Sequence, residues 1–101
     1  MARSIRMSEP AIEQLRDLPR DRSLLKVLFR RIEEAADDPD RFTEPAVYPF
    51  RADRRMSNFA AYDTAGKRWG FTVLFAVSDD AVEVKVIRGA QYDLPPELDT
   101  D

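Results

Sequence analysis

WGFTVLFAVSDDAVEVKVI, residues 69–87, decides the fold. Two runs rich in aromatic and β-branched residues, 69–77 and 82–87, flank Ser78-Asp79-Asp80, a loop short enough to close a hairpin. In the first run Phe71, Val73, Phe75 and Val77 point one way and Gly70, Thr72, Leu74 and Ala76 the other. Both rows are apolar enough for a central strand. In the second run Val82, Val84 and Val86 alternate with Glu83 and Lys85, which predicts one buried and one wetter face. A third such run, 57–62, lies upstream across Asp63-Thr64-Ala65-Gly66-Lys67, again a hairpin-length loop. The three form an antiparallel meander.

Ahead of the meander the period changes from two to 3.6. Ser8 suits an N-cap, Glu9 the positive end of a helix and Pro10 its first turn, with Ile12, Leu15 and Leu18 on one face. The first helix therefore runs to about Leu18 and stops at Pro19. Leu25, Leu28, Phe29, Ile32, Ala35 and Ala36 then recur at helical spacing, and Asp38-Pro39 ends the second helix. Residues 4–7 form a short first strand. From Pro39 to Met56 periodicity is lost, with Val47, Tyr48 and Phe50 expected as a short edge strand around Pro49. The fold class is α+β: a short first strand, a helical hairpin, then an antiparallel sheet of three to four strands.

A chain of 101 residues has room for one domain, expected over 1–95, with 96–101 a short acidic tail. Its 44% hydrophobic and 35% charged residues suit a folding domain, and no apolar run is long enough to span a bilayer. The expected location is the cytoplasm, with no membrane partner. With no Cys and no His, disulfides, thiolate nucleophiles and imidazole bases are excluded, and the common zinc ligand sets with them. Asp37, Asp38 and Asp40 cluster at a helix end without other converging ligands, so neither a metal nor a cofactor is expected.

A formal net charge of −3 argues against a surface that grips nucleic acid all over. Basic charge is nevertheless concentrated: 45–78 holds Arg51, Arg54, Arg55, Lys67 and Arg68 against Asp53 and Asp63. Residues 93–101 carry Asp93, Glu97, Asp99 and Asp101 with no positive partner. Arg51, Arg54, Arg55 and Arg68 are therefore candidates for binding nucleic acid or an acidic partner, set against the plainer alternative of a solvated surface. Trp69, beside Phe71, is read first as a hydrophobic anchor.

In the order of its elements and the texture of its strands the chain resembles the RelE/ParE superfamily of toxins along nearly its whole length. The likeness lies in Glu33-Glu34-Ala35-Ala36-Asp37-Asp38-Pro39 closing the second helix, in the 71–77 and 82–88 hairpin, and in Gly89-Ala90-Gln91-Tyr92-Asp93-Leu94-Pro95 after it. The resemblance implies a toxin of a type II toxin–antitoxin pair, held inactive by a cognate antitoxin. RelE-like members cut mRNA on the ribosome, and ParE-like members poison DNA gyrase. Cutting RNA through its own 2′-hydroxyl needs a proton acceptor, charge neutralisation at the phosphorane and a proton donor to the leaving oxygen.

The resemblance leaves Arg88, Gln91 and Tyr92 as the candidate catalytic set. It also shows departures. Phe71-Thr72 stands where an aromatic residue followed by arginine is usual, Phe59-Ala60-Ala61-Tyr62 offers methyl groups where basic side chains are usual, and Gln91-Tyr92 replaces a basic pair. Two readings therefore stay open: a metal-independent endoribonuclease, and a non-enzymatic binding module of the same fold that poisons gyrase or pairs with an antitoxin.

Overall fold

The computed structural model describes residues 3–91. Its elements are β1 (Ser4–Met7), α1 (Glu9–Asp17), α2 (Arg22–Asp37), α3 (Pro39–Phe42), β2 (Glu44–Pro45), β3 (Arg55–Tyr62), β4 (Arg68–Val77) and β5 (Ala81–Gln91). The sheet is mixed, five strands in the order β1-β5-β4-β3-β2, with β1 parallel to β5 and the other pairs antiparallel. The α+β class holds: β2 to β5 form the antiparallel part, four strands, and the first strand β1 joins it in parallel as the fifth. No helix among the described residues is long and apolar enough to cross a membrane.

Local chemistry sets the helix ends. Ser8 Oγ accepts from Ala11 N–H at 3.2 Å and donates to the Lys85 carbonyl at 3.1 Å, so one hydroxyl caps α1 and ties it to β5. Asp21 Oδ1 caps α2 by accepting from Leu24 N–H at 3.1 Å. Its Oδ2 accepts from Thr64 N–H at 3.0 Å and Thr64 Oγ1 at 2.8 Å, which fastens the β3–β4 loop to the helix start. Those bonds, the Thr64 backbone one foremost, hold the Asp21 carboxyl below the ordinary aspartate range. Asp38 ends α2 and caps α3 through Arg41 N–H at 3.3 Å, a short helix that the aperiodic 39–42 stretch does not announce.

The helices cover one face of the sheet. Leu28, Ile32, Ala35 and Ala36 of α2 and Ala11 of α1 pack on Val73, Phe75, Val82, Val84 and Ile87, all of them buried. Removing such side chains from water is the main stabilising term, about 1.5–3 kcal/mol for each large one. A second cluster, Leu24 on Ala61 and Phe71, extends the core toward the β3–β4 hairpin, with Trp69 packed against it. Trp69 is thus the anchor expected: its ring stacks on Phe71 and its indole N–H donates to Asp63 Oδ2 at 3.0 Å.

Three details differ from expectation. First, the edge strand is Glu44–Pro45, whereas Val47 and Tyr48 are exposed and 46–54 is closed by local bonds such as Phe50 N–H to the Val47 carbonyl at 3.0 Å. Pro49 has no N–H to give a ladder there. Second, β5 continues through Arg88-Gly89-Ala90-Gln91, paired with β4 as far as Gln91 opposite Trp69. Third, a β-bulge breaks the β4–β5 register: Phe75 faces Val84 but Leu74 faces Val86, so Lys85 is the extra residue. Beyond it the faces exchange, and Ile87 enters the core in place of Val86.

Candidate functional site

The face of the sheet opposite α1 and α2 is built by the register. Asn58, Thr72 and Arg88 lie in one row across β3, β4 and β5, and Ala60, Gly70 and Ala90 in the next. Tyr62 and Arg68 pair beyond them. The middle row consists of the smallest side chains, so the sheet is hollow between two taller polar rows. A cleft of about 570 Å³ occupies this hollow, lined among others by Asn58, Arg68, Thr72, Arg88 and Gln91. Four residues of strand separate the Arg88 row from the Arg68 row, roughly 13 Å at 3.3 Å per residue.

Each polar group is positioned by its strand. Thr72 Oγ1 donates to Asn58 Oδ1 at 2.7 Å, which leaves the Asn58 amide N–H groups to donate elsewhere. The Arg88 guanidinium lies 5.7 Å from the centroid of Phe50, so the 46–54 segment reaches over this end of the face. Arg68 begins β4 directly after the hairpin loop, whose shape Asp63 fixes by accepting from Lys67 N–H at 2.8 Å and Ala65 N–H at 3.0 Å. Gly66 takes φ of +83° in that loop, a conformation glycine adopts without steric cost. The Lys67 bond, then the Trp69 indole, hold the Asp63 carboxyl below the usual aspartate range.

The candidates from sequence divide into two groups. Arg68, Arg88 and Gln91 line the cleft, the two arginines from rows of the open face and Gln91 from the row of Trp69, which faces the helices. Arg88 and Gln91 do so from within β5, not from a segment following it, because the strand runs on to Gln91. Tyr92 lies outside the described residues. Arg51 and Arg54 turn to Asp53 Oδ2, at 2.9 and 3.4 Å, and Arg55 is used inside the fold: Nε donates to Thr43 Oγ1 at 2.9 Å and Nη2 to the Thr43 carbonyl at 2.7 Å. These three arginines line no part of the cleft. Asn58, Thr72 and the Ala60-Gly70-Ala90 floor escaped the sequence reading, because only the cross-strand register brings them together.

Chemically, the described lining of the cleft is neutral or positive, with no carboxylate. Two guanidinium groups with fixed forks suit phosphate oxygens, and the floor leaves space for a flat group beside them. A guanidinium donates hydrogen bonds and accepts none, so the described lining neutralises charge better than it moves protons. Asp37, Asp38 and Asp40 lie at the α2–α3 junction, outside this cleft, and among the described residues no group of three acidic side chains is placed to hold a metal ion. No family model, no curated protein and no solved structure matches this chain.

Proposed function

We propose that this chain is the toxin component of a toxin–antitoxin pair, that it is built on a RelE/ParE-like plan, and that its open sheet face receives the phosphodiester backbone of RNA. The observation that carries the reading is the charge of the cleft. In a chain of net charge −3, the described residues around this hollow include Arg68 and Arg88 and no acid. The strand, helical hairpin and antiparallel strands in that order support the family assignment. In the endoribonuclease form of the reading, Arg88 offsets charge on the phosphorane, water takes the 2′-hydroxyl proton, and Tyr92 supplies the proton to the leaving oxygen. The ribosome with its mRNA is then the target, and a cognate antitoxin the inhibitor.

A second reading is favoured by the absence, among the described cleft residues, of a group that exchanges a proton near neutral pH. In it the same face binds without cutting, and the chain acts on DNA gyrase or only on its antitoxin. Induction of the chain alone in a bacterial culture, beside a frameshifted copy, tests both. Growth arrest with new 5′ ends inside translated messages, relieved by Arg88→Ala in a variant that still folds, supports the nuclease. Arrest with intact messages and a DNA-damage response selects the gyrase form. Undisturbed growth with soluble, folded protein overturns the toxin assignment.

A further inference from the structure

Among the described residues Arg88 makes no hydrogen bond and no ion pair; its partner is the ring of Phe50, with the guanidinium carbon 5.7 Å from the centroid. The neighbouring arginines of 51–55 are held by acceptors instead: Asp53 takes Arg51 and Arg54, and Thr43 takes Arg55. The difference is chemical. A carboxylate holding Arg88 would cancel the charge that it offers and occupy its N–H groups. An aromatic face holds the flat of a guanidinium by cation–π attraction and leaves the in-plane fork of N–H donors free.

The ring reaches Arg88 by crossing the sheet. The 46–54 segment leaves at the β2–β3 edge, where Ala46 N–H donates to the Arg54 carbonyl at 3.0 Å. Arg88 stands on β5, two strands from β3, roughly 10 Å at 4.8 Å per strand. To meet its side chain on the face opposite α1 and α2, the segment lies over β3 and β4. The row beneath this path is Met56, Leu74 and Val86, two residues along β4 from Thr72. That row belongs to the open face, yet Met56 and Leu74 are only 7% and 6% exposed. The segment is therefore seated on an apolar row and carries a half-buried Phe50 to the Arg88 end of the cleft.

We propose that Phe50 is a positioning residue of the cleft: its ring holds Arg88 by one face, so that the N–H fork is already set when a phosphate of RNA arrives. The inference rests on the reading of this cleft as a phosphodiester site. An arginine side chain is long and rich in rotamers, and ordering it at the moment of binding weakens affinity. A guanidinium ordered beforehand on the ring avoids that loss. Phe50 itself touches no phosphate. It sets how tightly Arg88 grips, not how many phosphates are neutralised.

Two measurements test this, the first without RNA. Nitrogen relaxation at the arginine Nε–H groups of the free, uniformly labelled chain reads the order of each guanidinium on the picosecond to nanosecond scale. Arg88 is expected to be clearly more ordered than Arg30 of α2, which is exposed and has no side-chain partner among the described residues. Phe50→Leu, which keeps an apolar cover over Met56 and Leu74, loses that order, and Phe50→Tyr keeps it. The second measurement is binding of single-stranded oligouridylate across a salt series. Phe50→Leu is expected to weaken it about two- to fivefold, the worth of an exposed cation–π contact, with the slope of log K against log salt unchanged because the phosphate contact is still made. Phe50→Tyr restores the affinity, and beside Arg88→Gln the Phe50→Leu change costs nothing further. An Arg88 no more ordered than Arg30 in the parent overturns the proposal without any variant having to fold. So does a loss in Phe50→Leu that persists undiminished beside Arg88→Gln. Oligouridylate binding that ignores Arg88→Gln while Arg88 is ordered on Phe50 removes the phosphodiester reading of the cleft, and the positioning role falls with it.

Discussion

A Cβ built on Gly89 falls 2.6 Å from Phe71 Cε1, 2.9 Å from Phe71 Cδ1 and 3.0 Å from Leu18 Cδ2. The glycine is there because the Phe71 ring lies across its partner strand, held between Phe59 at 5.4 Å and Trp69 at 6.4 Å. Gly89→Ala therefore displaces a ring packed on both sides, not a free side-chain end. The expected cost is about 1–3 kcal/mol of stability, in the range of an overpacked core. Urea unfolding of parent and variant checks it, and an unchanged midpoint would show that the stack can yield. The same scale separates the arginines. As letters Arg51, Arg54, Arg55 and Arg68 are equivalent, but Asp53 accepts from the first two, Thr43 accepts from the third, and only Arg68 lines the cleft. Nothing in the spacing of these residues announces which hydrogen-bond acceptor each will find.

At the scale of elements, the helices were legible because their signals are local. Ser8 and Asp21 cap, Pro19 and Pro39 follow the ends, and Leu28, Ile32, Ala35 and Ala36 of the expected α2 stripe are buried, while Phe29 of that stripe is exposed and Leu24 is buried in addition. The strands were legible in place and type but not in length. Arg88-Gly89-Ala90-Gln91 is poor in strand-forming residues, and pairing with Trp69-Gly70-Phe71-Thr72 of β4 keeps it extended. The bulge is invisible for the same reason, since it is a property of two strands together. Simple alternation puts Val86 in the core with Val82 and Val84, whereas the extra Lys85 turns Ile87 inward to 2% exposure and leaves Val86 half-buried on the other face. Truncation distinguishes the two arrangements. Ile87→Ala is expected to cost about 2–5 kcal/mol and Val86→Ala clearly less, both by chemical denaturation. Equal costs, or a reversed order, would contradict the bulged register.

Over the whole molecule the sheet divides the work: one face is covered by α1 and α2 and holds the core, and the other carries the cleft. That division explains why composition said so little about the site. The net charge of −3 is summed over all surfaces, while a ligand on the open face meets the local field of Arg68 and Arg88. If those two guanidinium groups neutralise phosphates, binding of a single-stranded oligouridylate must release counterions, and log K falls linearly with log salt. Each phosphate contact on a single strand contributes roughly 0.7 to that slope. Arg88→Gln and Arg68→Gln are expected to flatten the slope by about that amount each, and the double variant by about twice as much, with both effects measured by fluorescence anisotropy across a salt series. Arg51→Gln, whose parent side chain is paired with Asp53 away from the cleft lining, should leave the slope where it was. A loss shared equally by all three variants would mean that the ligand responds to the overall charge of the surface; a slope unchanged in the double variant would remove the open face from RNA binding altogether.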